Sequence, residues 1–163
     1  MSQFAQALVN ATSMVDVTTF DQGPSGGTGG VPVNTDLPND LTVKAFQVFT
    51  GQDAGQLHIH QVILFYDQDG VEKSIRIGSG GSEEERVDLI PTQHIRTIFG
   101  TYGQYVFKMA FIDNLGNVLG QYGQEQPGSA MYQFKTPDGF RLVGFFGRAG
   151  GWIDAFGVKY RAA

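Results

Sequence analysis

A chain of 163 residues has the size of one domain and can bury roughly two-thirds of the surface its unfolded form exposes. With 17% charged and 41% hydrophobic residues it is not a disordered chain, and a net charge of −5 without a Lys/Arg cluster excludes nucleic acid or an anionic membrane as partner. Zero cysteines exclude disulfides and thiolate metal sites and are compatible with a reducing compartment.

The chain opens on residues 1–15, which lack a basic n-region and whose apolar residues are interrupted by Gln, Asn, Thr and Ser. They are neither a signal peptide nor a membrane span, so the expectation is a cytoplasmic product or one released without a signal peptide, with no membrane insertion. Residues 1–13 hint at helix and are set apart as an N-terminal extension ahead of one domain over 14–163. Asn10-Ala11-Thr12 matches a glycosylation acceptor, a chance match where no secretory signal precedes it.

From there the pattern is all-β: 23 glycines and 13 phenylalanines, with almost no helical apolar spacing, describe short strands joined by tight turns. Strands are expected over 15–20, 41–50, 58–66, 73–77, 87–90, 95–99, 104–112, 131–135, 140–146 and 153–160. Alternation places Tyr105, Phe107, Met109 and Phe111 on one apolar face of its strand. Asp69-Gly70 and Leu115-Gly116-Asn117 read as turns. The glycines fall in three groups, Gly26 to Gly30, Gly78 to Gly81 and Gly123 to Gly128, spaced by about 45 to 50 residues. Three small sheets around a shared apolar axis would give this spacing, and so would a sandwich.

Several residue groups fit only bland roles. His58 and His60 share a strand face, as two metal ligands can, but no third ligand joins them and surface or half-buried histidines are the expectation. Asp67-Gln68-Asp69-Gly70 lacks the later ligands of a calcium loop and is read as a hairpin turn. Glu83-Glu84-Glu85-Arg86 is read as a solvated loop. Neither Gly26–Gly30 nor Gly78–Gly81 is followed by the Lys-Ser/Thr and helix of a phosphate-binding loop. No catalytic triad, paired carboxylate or cysteine nucleophile is present by spacing, so no enzymatic activity and no cofactor are expected.

Two segments carry a specific likeness. Gln22-Gly23-Pro24-Ser25-Gly26-Gly27-Thr28-Gly29-Gly30 resembles the opening glycine loop of the jacalin-related lectins. Gly128-Ser129 to Phe134, and then Asp138 through Gly150-Gly151-Trp152-Ile153-Asp154 to Val158, is similar to that family's C-terminal strands and its Gly-x-x-x-Asp sugar motif. The segments 62–67 and 98–103 add to a likeness over roughly residues 15–160, which makes 14–163 a jacalin-like lectin domain. The resemblance implies a β-prism I fold, three four-stranded Greek-key sheets with pseudo-threefold symmetry, without metal or catalytic group.

Carried over by position, the resemblance implies a carbohydrate site of Gly30, Gly150, Gly151, Trp152 and Asp154. Asp154 accepts from two sugar hydroxyls, the amides of Gly151 and Trp152 donate to ring and exocyclic oxygens, and Gly30 donates to a third hydroxyl. The physics is consistent, because a carboxylate accepts two hydroxyl protons at once and glycine lets backbone N–H groups come close. Trp152 can lie against an apolar sugar face or line the rim. The implied partners are glycans or glycoproteins, mannose or glucose in type, since the chain runs uncut through Gly29-Gly30-Val31 where the galactose-preferring branch is cleaved. Trp152 and Ser25 depart from the residues usual in mannose binders. Weak single sites imply a homo-oligomer. A galactose-type lectin, or a β-prism scaffold for protein interaction or toxin targeting, are the alternatives.

Overall fold

The computed structural model describes residues 19–53 and 55–163. The helical hint over 1–13, the acceptor sequence Asn10-Ala11-Thr12 and the boundary at residue 14 lie outside them. Among the described residues thirteen strands run in order: β1 (Thr19–Gly26), β2 (Val31–Asp36), β3 (Ala45–Asp53), β4 (Gln56–Gln68), β5 (Val71–Gly78), β6 (Ser82–Glu83), β7 (Val87–Asp88), β8 (Ile95–Tyr102), β9 (Val106–Asp113), β10 (Val118–Gly123), β11 (Ala130–Lys135), β12 (Phe140–Ala149) and β13 (Ile153–Ala162). No helix among the described residues is long and apolar enough to cross a membrane.

Three antiparallel sheets have the orders β1-β13-β12-β2, β10-β9-β8-β11 and β5-β4-β3-β6, with β7 also paired to β3. Each is a long central hairpin flanked by two outer strands, which is the three-sheet prism and not the sandwich. In the third sheet the fourth strand is broken: β6 pairs Phe49 with Glu83, and β7 pairs Phe46 with Val87. Between them the Glu84 amide donates to Val48 O and the Glu84 carboxylate accepts from Thr50 Oγ1, so the acidic run is stitched to β3. Arg86 bonds both carboxylate oxygens of Glu72 at 3.0 and 2.7 Å and lies 4.2 Å from the centre of the Phe65 ring. This run is therefore more than a solvated loop.

The glycine groups mark the pseudo-threefold relation. Gly26, Gly78 and Gly123 end β1, β5 and β10 with φ of +143°, +85° and +80°. A Cβ on each would stand 2.1, 2.0 and 1.9 Å from the carbonyl oxygens of Asp154, His60 and Phe107 respectively. Only glycine permits that approach, and the relation makes Asp154, His60 and Phe107 structural equivalents at one end of the prism.

The inner sheet faces close around one apolar core. Phe46 of β3 stacks on Phe111 of β9 at 4.1 Å, and Phe145 of β12 meets Phe156 of β13 at 5.3 Å. Met109 and Phe111 are fully buried as the alternation in 104–112 requires, whereas Tyr105 and Phe107 are half-buried at the strand's start. Asp69 and Gly70 form the two-residue turn between β4 and β5 with φ of +53° and +78°, the left-handed pair a tight hairpin demands.

Besides β6, three strands escape the sequence patterns. Of the strand expected over 15–20, residues 15–18 lie outside the described residues and 19 and 20 open β1, whose remainder is the Gly-Pro-rich stretch taken as loop. A bulge between Gln22 and Ser25 takes Gly23 and Pro24 out of the ladder and lets the rest pair with β13. β2 carries Pro32 on an outer strand, where no second neighbour needs its missing N–H. β10 is interrupted by Gly120 and bulged against β9.

Asp113 ties off the β9–β10 turn. Its Oδ1 accepts from the Leu115 and Asn117 amides at 2.9 Å each, and its Oδ2 from Gln93 Nε2 at 3.0 Å. The Gln93 bond and these amides hold its carboxyl at about 2, below the usual 3.8. A depressed folded pKa stabilises the fold above the unfolded value and is lost as pH falls through the folded one. Asp113→Ala is accordingly expected to lower the melting temperature at pH 7 and to flatten its decline between about pH 4 and pH 2. Melts of both proteins across that window check it; parallel curves would remove Asp113 from the account.

Candidate functional site

The end of the prism that carries Asp154 is built by chain connections from all three sheets. Residues 27–30 join β1 to β2, 79–81 join β5 to β6, 103–105 join β8 to β9, and 150–152 join β12 to β13. Because β1 pairs with β13, the first loop and the last hairpin lie side by side: the Gly27 amide donates to Asp154 O at 2.9 Å. Gly27 also packs on Gln104, since a Cβ there would stand 2.4 Å from its carbonyl oxygen.

Asp154 is buried, at 4% exposure, and its carboxylate lies against the backbone of the first loop. A Cβ on Gly29 would come to 2.6 Å from Asp154 Oδ1, and one on Gly30 to 2.5 Å from Oδ2. Gly30 also has φ of +67°, so both space and backbone conformation require glycine. Trp152 Nε1 donates to Asp154 Oδ1 at 3.2 Å. Burial pushes the Asp154 carboxyl above its ordinary value, against the opposing Trp152 hydrogen bond and the Arg148 charge.

The structure thus brings Gly30, Trp152 and Asp154 together. Gly150 and Gly151 stand at the mouth, exposed, with nothing within 4 Å of where a Cβ would project. The Gly150 amide is spent inside the hairpin on Trp152 O at 3.0 Å, and its carbonyl accepts from Ser79 Oγ at 2.7 Å. Among the described residues no group accepts from the amides of Gly151 and Trp152.

Sequence reasoning missed the residues that hold these parts in place. Arg148 reaches across β2: its Nε donates to the carbonyls of Thr28 and Gly29 at 3.1 and 2.9 Å, and its Nη2 to Gly30 O at 2.9 Å. In a trans peptide the C=O and N–H point opposite ways, so this clasp turns the Gly29 and Gly30 amides away from Arg148. Ser79 braces the hairpin from the third sheet's β5–β6 loop. No spacing rule finds such partners, which lie 71 to 120 residues away.

Trp152 is half-buried and lines the wall of the site. Its ring stands edge-on to Tyr105 at 5.3 Å and to His58 and His60 at 6.1 Å each. His58 stacks on Tyr105 at 5.0 Å and is 1% exposed, which corrects the expectation of a surface or half-buried residue there; His60 is half-buried as expected. β4 of the third sheet turns the His58 ring into the space between loops, and burial lowers the His58 pKa. Among the described residues no three His, Asp or Glu converge as metal ligands.

Comparison with known proteins agrees with the three-sheet fold. Residues 22–159 match the jacalin-like lectin domain. Horcolin of Hordeum vulgare is 30% identical over 144 residues, covering 83% of this chain and 92% of horcolin. The mannose/glucose-specific lectin of Parkia pendula is 28% identical over 149 residues, covering 83% of this chain and 30% of that longer protein. Among solved structures, Calystegia sepium agglutinin superimposes with a TM-score of 0.71 at 24% identity, over 90% of this chain and 99% of that one. Malaysian banana lectin gives 0.70 at 20% identity, over 89% and 99%. A clasped glycine loop against a buried carboxylate, on a three-sheet prism matched nearly end to end, leaves one conclusion: the chain belongs to the jacalin-like lectin family and is a carbohydrate-binding lectin, not an enzyme.

Proposed function

We propose that the protein binds mannose- or glucose-type glycans reversibly, without a metal ion, at the end of the prism that carries Asp154. The observation that carries this reading is the Asp154 carboxylate set against the Gly29–Gly30 backbone, under a mouth kept open by Gly150 and Gly151. An ionised carboxylate has about four acceptor positions, so the Trp152 N–H leaves room for two sugar hydroxyls. The Gly151 and Trp152 amides donate to ring and exocyclic oxygens, and the Gly30 amide, turned away from Arg148, donates to a third hydroxyl. Gly150 serves by the absence of a side chain. The Parkia relative, whose name states mannose/glucose specificity, supports the choice of sugar.

Retention on a mannose column, run with and without EDTA, tests the reading. Retention is expected to be unchanged by chelation, because every proposed contact is a carboxylate or a backbone amide. Loss on chelation with recovery on adding calcium would overturn the metal-free mechanism.

One competent site per chain follows from the pseudo-threefold relation. His60 and Phe107 hold the places equivalent to Asp154, and neither can accept two hydroxyl protons. Calorimetric titration with a monovalent mannoside is expected to give one sugar per chain, and a stoichiometry near two or three contradicts it. A shallow monosaccharide site reaches about millimolar Kd, so useful avidity needs several sites joined, for which we propose a homo-oligomer.

A further inference from the structure

The opposite end of the prism holds a pocket of about 330 Å³, within the usual size of small-ligand sites. It is lined by the connections into β3 and β8 and by the start of β12, including Val43, Leu89, Ile90 and Leu142 as apolar walls and Lys44 and Arg141 as cations, with no carboxylate. Lys44 is already held by Asp67 at 2.8 Å and Glu72 at 3.0 Å. The charge left for a ligand is that of Arg141. Its Nε is buried and has no hydrogen-bond partner among the described residues. Arg141 also sits directly across the strand from Arg161, a like charge that is itself occupied by Pro38 O and Asp36. A buried guanidinium nitrogen without an acceptor, facing a second cation, is a costly arrangement that an anion relieves.

We propose that this pocket binds a small amphipathic monocarboxylate, its carboxylate on Arg141 and its apolar tail against Val43, Leu89, Ile90 and Leu142. A compact inorganic anion would leave those walls wet, and a neutral apolar molecule would leave Arg141 unpaired. Ile90, 62% exposed, forms the rim. Along β12 from Arg141 to Ala149 the strand runs about 25 Å, so this ligand and the glycan bind at separate ends.

Calorimetry on the full chain with octanoate, octanamide, acetate and inorganic phosphate tests the proposal. Octanoate is expected to bind saturably at one site, with the other three at least about tenfold weaker. Arg141→Gln should weaken octanoate by about ten- to a hundredfold. Ile90→Glu, a change at an exposed position that leaves the fold intact, places a carboxylate at the rim and should weaken it likewise. Mannose-column retention should be the same in both variants, which separates this site from the glycan site. Octanamide, acetate or phosphate binding as tightly as octanoate overturns the proposal, as does octanoate binding untouched by both substitutions.

Discussion

Asp154→Asn is expected to abolish retention on a mannose column without lowering the thermal melt. The substitution keeps shape and volume but turns a two-oxygen acceptor into one acceptor and one donor. If the remaining oxygen keeps the Trp152 N–H, the new NH₂ occupies the position of Oδ2, where a sugar hydroxyl has to donate. A charge-assisted hydrogen bond contributes about 1.5–3 kcal/mol, so one loss weakens a millimolar interaction roughly ten- to a hundredfold, below detection on a column. Stability behaves differently. Burial raises the Asp154 pKa, so the folded state favours the protonated form. The charge costs stability above the folded pKa, and that cost disappears as pH falls through it. A neutral Asn carries none of it. The same shift predicts that mannose binding by the unaltered protein fades on acidification before an ordinary carboxyl with a value of 3.8 would titrate. Unchanged retention of Asp154→Asn would refute the site, and lost retention with a collapsed melt would assign the residue a structural part only.

Phe111→Ala is expected to destabilise the fold by about 3–5 kcal/mol, the range for removing a fully buried phenylalanine from a core that cannot close over the gap. Phe111 lies where sheets meet: it stacks on Phe46 at 4.1 Å across the axis and takes the Tyr122 ring edge-on at 6.1 Å. Both partners belong to strands fixed by their own ladders, so the hole stays. For a domain of this size the melting temperature should fall by roughly 10 °C or more. Calorimetric melts of the two proteins measure it, and a fall under about 1 kcal/mol would show that the axis repacks freely.

Much of this was legible in the sequence because two of its signals are local. Alternation in 104–112 marks a strand wherever it is buried, and Asp69-Gly70 carries its own turn chemistry. The triplicated glycines could be counted, and the structure supplies their reason in the carbonyls of Asp154, His60 and Phe107. What stayed hidden depends on neighbours far away in the chain. The strand in Gln22–Gly26 exists because β13 lies beside it, and its own Gly-Pro content argues for a loop. β2 is mostly exposed and contains proline, so neither burial nor propensity announces it. The Arg148 clasp and the Ser79 brace are tertiary contacts, invisible to spacing. The site motif rests on resemblance, for Asp154 alone reads more readily as a turn residue than as a sugar ligand.

The pairing of Thr19 with Arg161 and of Pro32 with Arg148 has a consequence for how the protein is made. β1 and β2 leave the ribosome before their partners β13 and β12, which follow more than a hundred residues later, whereas β3–β4 and β8–β9 can pair as soon as each hairpin is synthesised. Long-range pairing of this kind is slow, because the closure entropy is spent before contacts reward it. Two sheets can therefore form cotranslationally while β1 and β2 wait as unpaired strands, the stage most exposed to misassembly. The glycan site shares that timing. Its first loop and last hairpin meet only in the final closure, so a nascent or C-terminally truncated chain with two sheets folded cannot yet bind sugar.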